Sequence, residues 1–341
     1  MPYPGAMSTD QTLSGTHVAV VFNPTKVDGD ELRAEVALAE QEAGWNSTLW
    51  LETSADDPGQ GMAKEAIARG ASAVLAAGGD GTVRAVAEGL MNSGVPLVLL
   101  PAGTGNLLAR NLGIALNRLP ESVKLAVHGE DRAIDMGTAR LRRPDGSTEQ
   151  HTFVVMIGIG LDAKMIAATN PALKKRVGWL AYVEAIARIA RDVDAVKLSY
   201  SLDGAPPRST TVHTLLIGNC GALPGNVIIL PEAKIDDGLL DIAAMRPRNL
   251  AGWFRVGIAV LWENGVLHKT RTGRRIMAAD KSVRPLRYFQ GRQLDLRFDE
   301  PEELEIDGDE MGLVSTLSVQ VEPASLIVRV PRDVSPGRAG I

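Results

Sequence analysis

The sequence is poor in cysteine and aromatic residues and has no long apolar run. Its single cysteine, Cys220, excludes an intramolecular disulfide and a multi-cysteine zinc site. An aromatic content of 4% argues against stacking platforms for single-stranded nucleic acid. No run of 18 uncharged apolar residues is present, so no segment is predicted to span a bilayer. With a net charge of −5, the bulk charge gives no indication of a nucleic-acid partner.

The rest of the composition is that of a globular protein. Of the 341 residues, 45% are apolar and 23% are charged, and this length predicts about two domains. Residues 1–15 are predicted to be a disordered tail, and they lack the basic and apolar regions of a secretory signal. Residues 332–341 are predicted to be a second polar tail. Together these features predict a cytoplasmic protein of a reducing compartment.

Strand and helix patterns alternate over residues 16–140. Strands are predicted at His17–Phe22, Ser47–Leu51, Ala73–Ala77 and Pro96–Leu100, with helices between them. This alternation predicts a parallel sheet covered on both faces, the architecture of an α/β domain. Such sheets bind ligands at the carboxyl ends of their strands.

Short strand patterns separated by turn residues dominate residues 141–331, and a few of them begin just before that boundary. They predict a β-sandwich or barrel. Two helical stretches interrupt the pattern, at Arg176–Arg191 and Leu250–Leu267. The predicted strands are Ala133–Met136, Phe153–Ile157, Ala195–Leu202, Val212–Ile217, Leu239–Ala243, Leu294–Phe298, Leu304–Ile306 and Leu317–Val321.

Three loops follow strands of the predicted parallel sheet. Gly78–Thr82 (GGDGT) joins a strand to a helix, so its glycines and free N–H groups suit a phosphate. Asp80 would repel a phosphate unless it holds magnesium or accepts a hydroxyl proton; the alternative is a glycine turn capped by Asp80. Pro101–Asn106 (PAGTGN) is the second loop and Asn23-Pro24-Thr25 the third. The sequence has no GxxxxGK[ST] P-loop, and no GxGxxG follows its first strand.

The order NPT, AAGGDGT and LPAGTGN resembles the catalytic domain of the diacylglycerol kinase family of lipid kinases, which includes sphingosine and ceramide kinases. The resemblance covers roughly residues 16–331. The segments of the second half that are similar to family motifs are Gly158–Ala163 (GIGLDA), Arg176–Tyr182, Ile217–Asn219, Pro231–Asp241 and Ile306–Asp309.

The resemblance implies an α/β nucleotide-binding domain followed by a lipid-binding β-sandwich domain. It also implies transfer of the ATP γ-phosphate to the hydroxyl of diacylglycerol or a sphingoid-like lipid. It places catalysis on Asp309, with Asp307 and Asp80 as further candidates. It implies a Mg²⁺ site at Asp237 with the carbonyls of Lys234 and Leu239. The implied ATP contacts are Asn23, Pro24, Thr25, Thr53, Gly78, Gly79, Asp80, Gly81, Thr82, Val83, Arg84, Ala85, Gly103, Thr104 and Asn106.

The chain departs from the family pattern in two places. Arg84 and Ala85 stand where the family often has Asn-Glu, so a polar nucleotide contact is lost or Arg84 replaces it with a direct phosphate contact. Asp309 is one methylene shorter than the usual Glu, so either it still reaches the substrate or Glu310 or Asp80 takes over. The two acidic motifs could also be ordinary turns without a catalytic or metal-binding role, since Asp307-Gly308 and Asp237-Gly238 are typical of turns.

The segment Arg246–Arg292 has eleven Lys or Arg against Glu263 and Asp280, a net charge of +9. A basic stretch beside an aromatic-containing helix favours peripheral contact with the anionic inner membrane surface, and an ordinary core helix followed by a solvated basic loop is an equal alternative. A homodimer of sandwich domains is a further possibility. Two other functions stay open: an NAD kinase, and a catalytically weakened regulatory protein that binds lipid or nucleotide.

Overall fold

The computed structural model describes residues 17–116, 118–160, 195–223, 227–247 and 286–332. The predicted helical stretches at 176–191 and 250–267 lie outside these ranges, as do residues 1–15 and 333–341 of the predicted tails. The helices are α1 Gly29–Ala43, α2 Gln60–Ala68, α3 Asp80–Leu90, α4 Leu107–Asn111 and α5 Leu119–His128. The strands are β1 Val18–Phe22, β2 Leu49–Glu52, β3 Ala73–Gly78, β4 Leu97–Pro101, β5 Glu130–Arg142, β6 Thr148–Phe153, β7 Met156–Ile159, β8 Val196–Leu202, β9 Arg208–Val212, β10 Thr214–Gly218, β11 Ala222–Leu223, β12 Val227–Ile228, β13 Leu240–Met245, β14 Leu286–Gly291, β15 Gln293–Ile306 and β16 Asp309–Val330.

The first half forms the predicted α/β layer structure. Strands β2, β1, β3 and β4 lie side by side and pair in parallel. Alternate residues of β1 enter different cores: Val18 and Val20 pack with α1 and α5, whereas Ala19 and Val21 pack with α2 and α3. Both faces of the sheet are thus covered, which confirms the fold predicted from the strand–helix alternation.

Helix α1 shows how the sequence determines where an element begins and ends and which face it buries. It begins after Asp28, whose side chain accepts hydrogen bonds from the N–H groups of Asp30 and Glu31. It ends at Gly44, which has the left-handed φ of 64° that glycine tolerates best. Its buried residues Leu32, Val36 and Ala39 follow helical spacing, so one face of the helix covers the sheet.

The second half is a β-sandwich, as predicted. One layer contains β14, β13, β10, β7 and the carboxyl-terminal half of β15. The other contains β9, β8, the amino-terminal half of β15, β16, β5 and β6. The core between the layers is aliphatic, apart from the aromatic rings of Phe153 and Phe298.

Strand β16 joins the two halves. It pairs antiparallel with β15 and β5, and Val328 then pairs in parallel with Leu97 of β4. Fourteen strands of the described chain therefore form one continuous sheet. β5 and β16 are 13 and 22 residues long, far longer than the predicted Ala133–Met136 and Leu317–Val321. Long-range pairing extends them through residues that lie outside the predicted strands.

Candidate active site

The loops after β1, β2, β3 and β4 meet at one edge of the parallel sheet. Backbone hydrogen bonds continue the strand pairing into these loops: the N–H of Asn23 donates to Ala77 (2.9 Å), that of Thr53 to Phe22 (2.9 Å) and that of Ala102 to Gly78 (3.1 Å). The predicted nucleotide residues therefore belong to a single edge, although 83 positions separate Asn23 from Asn106 in the sequence.

The Asn23-Pro24-Thr25 loop is a polar turn at this edge. The Asn23 Oδ1 accepts hydrogen bonds from the N–H (2.9 Å) and the Oγ1 (2.8 Å) of Thr25. Pro24 and Thr25 are exposed, whereas Thr53 is buried beside them. The loop thus presents small polar groups to solvent from a fixed backbone.

The loops Gly78–Thr82 and Pro101–Asn106, hereafter the first and second glycine loops, touch through their backbones. A Cβ added to Gly103 would lie 2.7 Å from the Cα of Gly79, and a Cβ added to Gly105 would collide with the carboxylate of Asp80. Only glycine at these positions lets the loops approach this closely. Thr104 of the second loop is exposed at this edge.

Asp80 fastens the two glycine loops together. Its Oδ2 accepts a hydrogen bond from the N–H of Asn106 (2.9 Å) and its Oδ1 accepts one from the N–H of Leu107 (2.6 Å). Burial raises the pKa of the Asp80 carboxyl, while these two amides oppose that shift. Asn106 adds a reciprocal pair with Gly103, accepting from its N–H (3.0 Å) and donating to its carbonyl (2.8 Å).

Helix α3 begins directly at the first glycine loop. Thr82, Val83 and Ala85, all predicted as nucleotide contacts, are buried, and Val83 lies in the core beneath the helix. Gly79 and Gly81 are partly exposed at the start of the helix, with Arg84 one turn further on. The part of α3 available to a ligand is therefore its amino-terminal end.

Asp307 is locked inside the hairpin between β15 and β16. Its two carboxylate oxygens accept hydrogen bonds from the N–H groups of Val154, Val155 and Met156, at 2.9 to 3.0 Å. Burial raises the pKa of Asp307 to about 6, although the three amides act in the opposite direction. Asp307 and Gly308 have φ values of 49° and 92°, as a type I′ turn requires.

Asp309 follows the same turn but faces the first glycine loop. Its Oδ2 lies 2.6 Å from the Arg84 Nη2, and its side chain is 47% exposed. The same oxygen is 3.4 Å from the position a Cβ would take on Gly81. The hairpin of the sandwich thus places a solvent-accessible carboxylate on the start of α3 in the other half of the molecule.

Arg84 is held between the two halves. Its side chain is 16% exposed, and its Nε is buried without a hydrogen-bond partner in the described part of the chain. An Arg guanidinium has five N–H donors in a rigid fork, so Arg84 keeps donors for a further acceptor while it binds Asp309.

The loop between Lys234 and Leu239 is fixed by side chains from β5. Arg132 donates to the Asp236 carboxylate (2.7 Å). Asp135 accepts from the N–H groups of Gly238 (2.7 Å) and Ala324 (2.8 Å). Asp237 accepts from the N–H of Leu239 (3.1 Å) through Oδ1 only. Among the described residues, Asp237 therefore keeps its Oδ2 without a hydrogen-bond partner, as Asp236 keeps its Oδ1.

A cleft of about 580 Å³ opens beside Asp237, and Asp135, Arg292 and Gln320 also line it. Burial raises the pKa of Asp237, and that of Asp241, whose buried Oδ2 has no hydrogen-bond partner among the described residues, rises to about 6. In these ranges no group of three or more His, Cys, Asp or Glu is placed to hold a metal. The implied site uses one carboxylate and backbone carbonyls, an oxygen donor set that fits Mg²⁺.

Sequence reasoning missed Asp135 and Arg132, because isolated charged residues in a strand carry no local signal. The Ile217–Asn219 motif is explained by the structure: the Asn219 Nδ2 donates to the carbonyl of Asp135 (2.7 Å). Cys220 is buried, and burial raises the pKa of its thiol, in keeping with a packing role. Residues 161–163 of the GIGLDA segment and the whole of 176–182 lie outside the described residues.

Comparisons with known proteins match both halves. The family model of the diacylglycerol kinase catalytic domain matches residues 17–139, and that of the YegS C-terminal NAD kinase beta sandwich-like domain matches residues 155–330. A probable lipid kinase YegS-like of Pseudomonas aeruginosa is 32% identical over 69% of this chain and 74% of its own. A diacylglycerol kinase of Bacillus subtilis is 26% identical over 71% of this chain and 78% of its own length.

The fold also matches a solved structure. The crystal structure of a putative diacylglycerol kinase from Bacillus anthracis superposes with a TM-score of 0.67, at 19% sequence identity, over 95% of this chain and 99% of that one. The agreement covers both the α/β half and the sandwich. In the described part of the chain, no helix has the length and apolar character that crossing a membrane requires.

Proposed function

This chain belongs to the lipid kinase family that shares the diacylglycerol kinase catalytic domain, and we propose that it transfers the γ-phosphate of ATP to the hydroxyl of diacylglycerol or a related lipid alcohol. The observation that carries the proposal is the approach of Asp309 to the first glycine loop, through its 2.6 Å ion pair with Arg84. This contact brings a proton acceptor from the sandwich to the edge where a nucleotide would bind.

The glycine loops supply the nucleotide site. Their backbones touch, and the first N–H groups of α3 have no acceptor within the helix, an arrangement that favours phosphate oxygens. Asn23, Thr25 and Thr104 add polar groups at the same edge. In phosphoryl transfer this positioning and charge compensation provide most of the catalysis, because the protein does little covalent chemistry.

Among the three candidate acids, hydrogen bonding favours Asp309 as the general base. Both oxygens of Asp80 accept backbone N–H groups, and those of Asp307 are buried against three amides. The carboxylate of Asp309 is half exposed and bound at one oxygen. In the reaction the lipid oxygen bonds to the γ-phosphorus, the bond to the β–γ bridging oxygen breaks, ADP leaves, and the hydroxyl proton moves to Asp309.

Asp237, with the carbonyls of Lys234 and Leu239, would hold Mg²⁺. Bound there, the ion supplies positive charge that organises the acidic loop next to the cleft. Arg132 and Asp135 keep that loop in place without taking the spare oxygen of Asp237. Arg84 orients Asp309, and its remaining donors are available to the transferred phosphate.

Our proposal of contact with an anionic inner membrane surface is supported by β14, the edge strand of its layer among the described residues. Its Tyr288 is 41% exposed and Arg292 is exposed just after the strand, whereas Arg287 and Phe289 point to the other face of β14. Exposed aromatic rings next to arginines are typical of surfaces that lie on anionic lipid. A cytoplasmic enzyme that acts on a bilayer lipid would use such a surface.

The test measures phosphate transfer from labelled ATP with Mg²⁺ to mixed micelles. The micelles contain diacylglycerol, sphingosine, ceramide or monoacylglycerol, and NAD serves as a soluble acceptor. We expect a labelled lipid from the wild type and about a 10³-fold lower kcat from Asp309→Asn, since a positioned base contributes about 10² to 10⁴. Asp299→Asn, an exposed aspartate of β15, is the matched control and should keep full activity.

Labelled NAD in place of labelled lipid would replace this proposal with an NAD kinase. ATP binding without transfer to any of these acceptors would favour a regulatory protein. Full activity of Asp309→Asn would leave the lipid kinase intact but remove Asp309 as its base.

A further inference from the structure

The hairpin between β5 and β6 contacts the hairpin of the candidate base through one side chain, Arg143. Arg143 follows β5 directly, and its Nη1 donates hydrogen bonds to the carbonyl of Met311 and to that of Leu313 (3.2 Å) in β16. These carbonyls lie two and four residues beyond Asp309 in the sequence. The side chain of Arg143 is only 18% exposed, so most of this contact is removed from water. A residue outside the predicted site thus binds the strand segment that carries Asp309.

The contacted segment of β16 is a β-bulge. Leu304 of β15 pairs with Gly312, but the next residue, Glu305, pairs with Glu310, so Met311 opposes no residue of β15. Gly312 has a left-handed φ of 72°, a conformation that favours glycine and is common in bulges. A bulge leaves its extra residue outside the ladder, so the carbonyl of that residue needs a donor from elsewhere. The donor here is the guanidinium from the neighbouring hairpin.

The bulge determines which acid faces the first glycine loop. Residues that pair across an antiparallel ladder share a face of the sheet, and Ile306 pairs with Asp309. Without the extra residue, regular pairing would continue from Gly312 and bring Glu310 opposite Ile306 instead, because a shift of one residue exchanges the two faces of a strand. The ion pair between Asp309 and Arg84 therefore depends on the bulge.

Arg143 is itself fixed by a closed turn and an ion pair. Its N–H donates to the carbonyl of Ser147 (2.9 Å), and its carbonyl accepts from the N–H of Gly146 (3.0 Å). Its Nη2 and Nε donate to the carboxylate of Glu149 at 2.7 and 3.0 Å. Together with a hydrogen bond from His151, this contact lowers the pKa of Glu149 to about 2. A guanidinium held in a two-point carboxylate pair has a defined orientation, so it can hold the bulge in a defined place.

We propose that Arg143 is a positioning residue for the general base: by holding the bulge at Met311, it keeps Asp309 rather than Glu310 opposite Ile306 and against the first glycine loop. The inference rests on the proposed function for the role of Asp309 as the base. The position of Asp309 is measured independently of that role.

Disulfide trapping measures this position without ATP or lipid. A Cβ on Gly81 would lie 3.4 Å from the Oδ2 of Asp309, so cysteines at these two positions can reach each other. Cys220, the single natural cysteine, is buried and does not compete. We expect Gly81→Cys with Asp309→Cys to form the bridge in oxidised glutathione. Adding Arg143→Gln should slow its formation about 10-fold, because a disulfide requires a narrow range of Cβ separations.

Two further variants define the effect. Arg142→Gln is the matched control, because Arg142 is exposed at the end of β5 and its replacement removes the same charge one residue away. It should leave the rate of bridge formation unchanged. Arg143→Lys keeps the charge beside Glu149 but lacks the planar fork, so it should slow bridge formation about 3-fold even if the glutamine variant does not fold. Circular dichroism checks the fold of each variant.

The kinase assay tests the consequence for the reaction. Arg143→Gln should lower kcat about 10-fold and leave the KM for ATP unchanged, because a displaced base weakens the transition state and not nucleotide binding. In an Asp309→Asn background the same substitution should lower kcat by less than about 2-fold, since the two residues act as a unit. A purely structural role of Arg143 would lower kcat equally in both backgrounds.

Three results would overturn the inference: bridge formation at the wild-type rate in the folded Arg143 variants, equal slowing by Arg142→Gln, and equal losses of kcat with and without Asp309. Slower bridge formation in a protein that phosphorylates none of the lipids would have a different meaning. It would remove the proposed function and retain Arg143 as the residue that positions Asp309.

Discussion

The edge of the glycine loops and an apolar pocket inside the sandwich are built in opposite ways. The loops are held by backbone contacts: Gly79 lies against Gly103, and Asp80 binds the N–H groups of Asn106 and Leu107. The pocket, a cavity of about 150 Å³ lined by residues such as Leu215, Ile242 and Phe289, is an assembly of side chains from six strands. A site made of backbone has almost no room for substitution, whereas one made of many side chains distributes its shape over all of them.

Gly103→Ala should have the largest effect of the substitutions considered, because it disrupts the contact between the two glycine loops. The added Cβ would lie 2.7 Å from the Cα of Gly79, so one loop must move. We expect about 100-fold weaker ATP binding, measured by calorimetry. Gly29→Ala is the matched control, since its Cβ would be 3.9 Å from its nearest neighbour. Unchanged affinity in Gly103→Ala would mean that the loops do not form the nucleotide site.

Asp307→Asn tests a second site that backbone groups hold in place, the hairpin between β15 and β16. The side chain would offer one acceptor oxygen in place of the two that now serve three amides. Leaving a buried N–H unpaired costs about 1 to 3 kcal/mol, so we expect the free energy of unfolding to fall by about 2 kcal/mol in urea titrations.

Asp309→Asn is the paired control for that measurement. Because Asp309 is half exposed, its replacement should change the free energy of unfolding by less than about 0.5 kcal/mol. Equal destabilisation by both variants would contradict the distinction between an anchoring Asp307 and a catalytic Asp309.

Arg84→Gln tests the contact that joins the two halves. Without the guanidinium, Asp309 loses its 2.6 Å partner, and we expect about a 10-fold lower kcat with a smaller change in the KM for lipid. In an Asp309→Asn background the same substitution should reduce kcat by much less, because the two residues act as a unit. Additive losses would show that Arg84 acts without Asp309.

Phe289→Ala should have the smallest effect and shows the tolerance of the pocket. Its ring is 38% exposed and is one of thirteen lining residues. We expect a loss of about 1 kcal/mol or less in the free energy of unfolding and no change in ATP affinity. A large drop in ATP affinity would show that the pocket and the loops are coupled.

This contrast also explains what the sequence could predict. Each glycine loop comes directly after a strand of the predicted parallel sheet. The local sequence was therefore enough to predict that Gly78–Thr82 and Pro101–Asn106 meet at one edge. The sandwich class was predictable from short strands and turns. Asp135, Arg132 and the pocket were not, because their partners lie far away in sequence: Asp135 bonds Gly238 and Ala324. The length of β16 was not predictable either, because its pairing with β5 and β15 determines it.

The junction between β16 and β4 has a consequence for how the protein is made. Val328, which pairs with Leu97, leaves the ribosome 231 residues later. At roughly 5 to 20 residues per second, the α/β half spends roughly 10 to 50 s with that edge of β4 uncovered. An open strand edge invites pairing with other chains. The nascent polypeptide therefore passes through a period of aggregation risk that closes only when β16 is synthesised.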